Sequence, residues 1–391
     1  MIKTRIFRLT SRSWLLLAAL LTACSAGLPP STPTPTTAPT ATASMTPSHT
    51  HTPTITPSPT HTPTITPTFT ASAIRTPPAL PGPYQTSLLD RLDPPHAYIE
   101  DTCQYLRDKW TSTNSPPGTV AIAIMNHSIT TDAVTGVDQM ALDDFRALMD
   151  RLHEDGFQAI TTAQLADFLE HNAAIPARSA LIIADDRRTK QYFDEWFRQY
   201  WDEWGWPVVG AWISTDLSSE ELWQEQVDLH NEGWVDYQAH GVVHNLPMWP
   251  GVADSYILSE LQGSIDAFQE HFNKAPIAII WPGGGFSTHS VPMARQLGYR
   301  LGFTTSPRGP LMYNWIPLSD INDPRRPSWP PEGPMNDPLL LLPRYWNKDT
   351  IEHLDEVLQI SQEAAAYAEA NRATELEYYD IVCAPTYGQI P

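Results

Sequence analysis

Apolar residues follow two rhythms between residues 119 and 304. Runs of strand length stand at 119–125, 180–184, 207–213, 235–239, 276–281 and 300–304. Between them Phe145, Leu148, Met149 and Leu152 share one helical stripe, and Ile257, Leu261, Ile265, Phe268 and Phe272 share another. Strand runs alternating with 3.6-period stripes predict an α/β fold with parallel strands. In a barrel of that type the chemistry gathers at the C-terminal ends of the strands. Residues 350–373 predict one more helix, whereas 314–343 is proline-rich and has no clear pattern.

The first 88 residues have neither rhythm. Lys3, Arg5, Arg8 and Arg12 precede an apolar stretch over 14–21 that closes on Leu21-Thr22-Ala23-Cys24. Basic flank, apolar centre and small-residue closure form the layout of a secretory signal over 1–23. An uncleaved membrane anchor is the alternative, but the stretch is short beside the roughly 20 residues of a bilayer span. The closing residues resemble a bacterial lipobox, which implies a lipid on Cys24. From 28 to about 83 Pro, Thr, Ser and Ala dominate, and residues 51–60 are nearly repeated at 61–70. Such a segment has too little apolar side chain for a core and favours extended polyproline conformations. Residues 24–88 are therefore expected to be a disordered stalk, and 89–391 a folded domain.

Composition narrows the partners. The formal charge of −20 disfavours nucleic acid and suits a soluble domain acting on neutral or cationic polymers. There are three cysteines. With Cys24 lipidated, Cys103 and Cys383 remain, either bridged across the two ends of the domain or as two free thiols.

Chemistry enters at two strand ends. Asp185 and Asp186 follow the run at 180–184, and His240 and His244 follow the run at 235–239. One carboxylate and two imidazoles suit a divalent metal, with zinc first and cobalt, nickel or iron as alternatives. The second carboxylate stands where a base is needed. Paired acids and a His-x-x-x-His are each common alone; two such sets at the ends of predicted parallel strands predict a site.

Residues 120–346 resemble the polysaccharide deacetylases, the NodB homology domain of carbohydrate esterase family four. Leu181 to Asp186 match the family's first motif, and His240 with His244 match its second, with Gly241 in place of the hydroxyl residue. Ile124-Met125-Asn126-His127 resembles the opening of the poly-N-acetylglucosamine deacetylase branch. Trp281-Pro282-Gly283-Gly284 sits at the third motif and Leu342-Pro343-Arg344-Tyr345 at the last. The resemblance implies a distorted (β/α) barrel, with Asp186, His240 and His244 as metal ligands and Asp185 as general base. The implied reaction is removal of N-acetyl groups from an acetylated polysaccharide, in the bacterial cell envelope and tethered to a membrane by lipid.

The chain departs from the family pattern at three points. Ile280 or Trp281 stands where a base-orienting arginine is usual, Arg344 follows where a histidine acid is usual, and Arg187 replaces a glycine. His127 is the expected proton donor or substrate contact, with a structural histidine as the alternative and His289 as a weaker candidate. Arg344 is expected to touch substrate, and it either pairs with Asp185 or forms an ordinary surface or structural salt bridge. Gly283 and Gly284 are expected to present a backbone amide to an oxyanion. Among the 14 tryptophans, Trp281 is singled out to stack on a sugar, ahead of Trp249, Trp315 and Trp346. Because of the missing arginine and histidine, a non-catalytic carbohydrate-binding homologue stays open, as does an O-acetyl esterase.

Overall fold

The computed structural model describes residues 75–215 and 217–391. The signal segment 1–23, Cys24 and the stalk as far as 74 lie outside the described residues. The elements begin with β1 (Pro95–His96), α1 (Thr102–Trp110), β2 (Val120–Asn126), β3 (Ser128–Thr130), β4 (Gln139–Ala141), α2 (Leu142–Glu154), β5 (Gln158–Ala159) and α3 (Thr162–His171). They continue with β6 (Arg178–Ala184), α4 (Lys190–Trp196), α5 (Arg198–Trp204), β7 (Val208–Trp212), α6 (Glu220–Glu232), β8 (Val235–Ala239) and α7 (Asp254–Phe272). The last are β9 (Ala278–Ile280), α8 (Ser290–Gln296), β10 (Leu301–Phe303), β11 (Ile316–Pro317), β12 (Tyr345–Trp346), α9 (Asn347–Tyr378) and α10 (Ala384–Tyr387).

Eight strands form one parallel sheet in the order β10-β9-β8-β7-β6-β2-β12, with β5 paired to β6. Successive residues of β2 and β6 alternate between two apolar layers, as period-2 side chains must. Ile122, Ile124 and Ile182 pack with Phe145 and Leu148 of α2 and with Leu354 and Val357 of α9. Ala121, Ala123, Leu181 and Ile183 face the other way, with Leu165 and Phe168 of α3. Both faces are dry, which is why these strands read as continuous apolar runs.

The sheet curls until one segment touches both of its edges. Leu342 bridges Phe303 at the end of β10, and three residues later β12 pairs with Ile124 and Met125 of β2. Backbone bonds Leu342 N–H to Gly302 O (2.7 Å) and Thr304 N–H to Leu342 O (2.9 Å) close this seam.

The stalk boundary at 88 needs correction. Residues before Leu89 already pack on the domain: Trp315 Nε1 donates to Tyr84 O (2.9 Å), Tyr84 OH to Glu363 (2.9 Å) and Tyr367 OH to Gly82 O (2.7 Å). Prolines set the extended backbone of this strap, and its carbonyls find donors on α9 and near β11 instead of a sheet. At the other end α9 runs 32 residues, longer than the sequence pattern suggests. Beyond it Cys103 and Cys383 form the disulfide, with 5.3 Å between their Cα atoms. No helix among the described residues is long and apolar enough to cross a membrane.

Candidate active site and metal centre

β2 and β6 run in register through Asn126 and Ala184, so the residues after them, His127 and Asp185, emerge side by side. Asp185 N–H donates to Asn126 O at 2.8 Å, extending the pairing by one residue. The Asp185 side chain is 1% exposed and receives Arg344 Nη1 at 2.8 and 3.0 Å. Arg344 is itself buried, and its Nε donates to Thr304 O at 2.7 Å. His127 Nε2 lies 3.5 Å from Oδ2 of the same carboxylate, and its ring stacks on Trp346 with centroids 5.2 Å apart. Burial alone would raise the Asp185 pKa; Arg344, then His127 and His240, outweigh it and hold the carboxyl below its ordinary value. Asp185 is therefore an anion at neutral pH.

Asp186 turns away from the strand with φ of 70°. Across the sheet end, beyond β7, His240 follows β8 directly. Its Nδ1 lies 2.7 Å from Ile280 O, a carbonyl that can only accept, so Nδ1 carries the proton and Nε2 keeps its lone pair. Burial lowers the His240 pKa, which keeps the ring in the neutral form that ligates metals. His244, at φ of 57°, has a buried Nε2 without a hydrogen-bond partner among the described residues. One ligand atom each from Asp186, His240 and His244 lie within 4.8 Å of one another. An orphaned imidazole nitrogen beside a second lone pair and a carboxylate is a donor set that fits a divalent cation.

The remaining expectations divide. Arg344 takes the pairing option: fully enclosed, it is a partner of Asp185 and offers nothing to a substrate. Trp281 is a correction, because it is 0% exposed and its indole N–H donates to Leu340 O at 2.7 Å, so no ring face is open to a sugar. Gly284 is another, since its N–H closes a tight turn onto Trp281 O at 2.8 Å. Gly283 has φ of 55° and is exposed, and a side chain there would strike Pro247. Arg187 is exposed and reaches Ser218, away from Asp185. His289 is exposed and bound to Asp254 at 2.7 Å. The aromatic surface beside the glycine turn is instead a pair of half-buried rings, Trp249 and Trp329, 4.9 Å apart. Arg326 lies over Trp329, and Pro247, two residues before Trp249, abuts Gly283 and Gly285. Trp329 lies in the patternless 314–343 stretch, where nothing in the sequence marks it.

Residues 188–302 match the family described as polysaccharide deacetylase. Among curated proteins, "Putative polysaccharide deacetylase YxkH" of Bacillus subtilis (strain 168) is 24% identical over 199 residues, 51% of this chain and 68% of that protein. Among solved structures, the chain is similar to the Streptococcus pyogenes deacetylase PplD in complex with acetate, at 16% identity and a TM-score of 0.46, over 60% of this chain and 97% of that one. It is also similar to BC0361, a polysaccharide deacetylase from Bacillus cereus, at 19% identity and a TM-score of 0.45, over 61% and 69% of the two chains.

Proposed function

We propose that the chain is a polysaccharide deacetylase, the family matched by residues 188–302, and that it acts as a metal-dependent hydrolase removing N-acetyl groups from an N-acetylhexosamine polysaccharide. The observation that carries this reading is a wholly buried carboxylate, Asp185, fixed by Arg344 at 2.8 Å and standing next in sequence to a compact Asp186, His240, His244 cluster. A divalent cation in that cluster, zinc first among the candidates, would supply Lewis acidity toward water and toward the acetamide oxygen.

The protein's own groups divide the rest of the work. Asp185 has one direction fixed by Arg344, so it accepts a proton from the attacking water without losing its orientation. His127, 3.5 Å from Oδ2 of that carboxylate, delivers a proton to the departing amine. The C–O bond forms first, giving a tetrahedral oxyanion, and the C–N bond then breaks as the amine takes its proton, leaving acetate and a free amino sugar. Sugar contact passes from Trp281 to the half-buried Trp249 and Trp329. Arg344 supports catalysis over mere binding, because the base keeps a cationic partner although the third motif supplies none. In this reading the domain works outside the cytoplasm on a lipid tether at Cys24; a Cys24→Ser chain that still fractionates with membranes would count against the tether.

The test is amine formation on N-acetylglucosamine oligomers by the zinc-loaded protein. Equal acetate and amine are expected from the wild type, and no turnover with metal retained from Asp185→Asn. Glycan binding without amine release would sink the hydrolase reading. Acetate without amine would replace it with an O-acetyl esterase.

A further inference from the structure

We infer that Glu260, a residue of α7 far in sequence from either strand end, is the positioning residue that sets the metal-binding conformation of the His240–His244 loop. The inference rests on the reading of Asp186, His240 and His244 as metal ligands. Glu260 is 1% exposed. Its Oε2 accepts the backbone N–H groups of Val242 (2.9 Å), Val243 (3.2 Å) and His244 (3.2 Å), and Oε1 accepts Val243 N–H again at 3.0 Å. Three consecutive amides converging on one carboxylate make an anion-binding concavity out of the very turn that joins the two histidines.

Four further observations point the same way. Glu260 forms no ion pair among the described residues, so the amide dipoles are what compensate its buried charge. Relaxing the turn would leave that charge uncompensated, which makes the turn conformation expensive to lose. His244 is held at φ of 57°, a region that a residue with a side chain enters only when its surroundings impose it. Gly241 sits at φ of 79°, and a Cβ on it would lie 2.5 Å from Glu260 Oε2. The carboxylate therefore occupies the space that a side chain at 241 would need. Glu260 lies on the same helix face as Ile257 and Leu261, an acid inside an apolar stripe.

Glu260 touches neither ligand nitrogen; it acts through the backbone, on where His244 points relative to His240. The expected result is a change in metal affinity in a protein that remains folded. Zinc dissociation constants measured by competition with a chromophoric chelator, well below each variant's melting temperature, should weaken by roughly 10–100-fold in Glu260→Ala. The cobalt(II) visible spectrum should change shape as well, which a loss confined to stability would not produce. Glu260→Gln keeps one acceptor oxygen but turns an amino group toward Val243 N–H, so its affinity should fall between those of wild type and Glu260→Ala.

A folded Glu260→Ala losing less than threefold in affinity overturns the inference, as does a Glu260→Gln that binds no tighter than it. Should Glu260→Ala fail to fold, Glu260→Gln decides alone: affinity within twofold of wild type overturns the inference. A wild type that takes up no metal would instead remove the metal-site reading, and this inference with it.

Discussion

Asp185 and Arg344 are 159 residues apart in sequence and meet at 2.8 Å, both side chains 1% exposed. A buried pair of this kind is costly to break from one side, because the remaining charge loses its only full compensation. Arg344→Met should destabilise the folded protein by about 3–5 kcal/mol, read from denaturant unfolding. It should also release the Asp185 carboxyl from the cation that lowers its pKa. Burial then raises that pKa, and the acid limb of the pH–activity profile should move to higher pH. An unmoved limb in a folded variant would remove Arg344 from the base's environment. The residues themselves were readable in advance, Asp185, Asp186, His240 and His244 from motif and placement. Two misreadings share one cause: tryptophan and glycine in a motif window look available, and only packing shows that Trp281 spends its N–H on Leu340 and Gly284 on Trp281.

At the level of elements, strands were legible where both faces are dry. The runs at 119–125, 180–184 and 235–239 correspond to β2, β6 and β8 to within two residues at each end, since continuous apolarity reports burial directly. β12 has two residues, Tyr345–Trp346, and shows no period because its pairing is decided by two distant edges and not by its own pattern. The strap before Leu89 was misassigned to the stalk for a related reason. Proline-rich chain looks the same from its composition whether it is solvated or laid against Trp315 and Tyr367. Glu260 carried a signal that composition obscures: within α7 it occupies a position three after Ile257 and one before Leu261, where an acid must have a purpose to be buried.

For the molecule as a whole, the site sets a dependence of stability on acidity. His240 titrates below its ordinary 6.5 because it is buried, so below that pH the unfolded chain takes up a proton that the folded one refuses. Stability contributed by the neutral ring is thus complete above 6.5 and is lost as pH falls, at up to about 1.4 kcal/mol per pH unit for this one group. Asp185 adds a second loss in the same direction only below its ordinary 3.8, where the unfolded carboxyl protonates first. In metal-free protein the melting temperature should therefore fall more steeply below about pH 6.5 than in a His240→Gln variant, a comparison that separates this ring from His230, whose lowered pKa acts in the same direction, and from Asp93, whose carboxyl pKa burial raises to about 6 and which acts in the opposite one. Equal slopes for the wild type and His240→Gln from pH 7 to 5 would contradict the neutral, buried assignment of that ring.

The short segment between Leu342 and Trp346 fastens one edge of the sheet to the other and, midway, delivers Arg344 to Asp185. In the proposed mechanism, closure of the architecture and orientation of the base are therefore one event. On the proposed reading the seam is an interlock: an insertion at Pro343 that unlatches it should leave the central carboxylate unaccompanied and should abolish turnover before the bulk of the fold is lost.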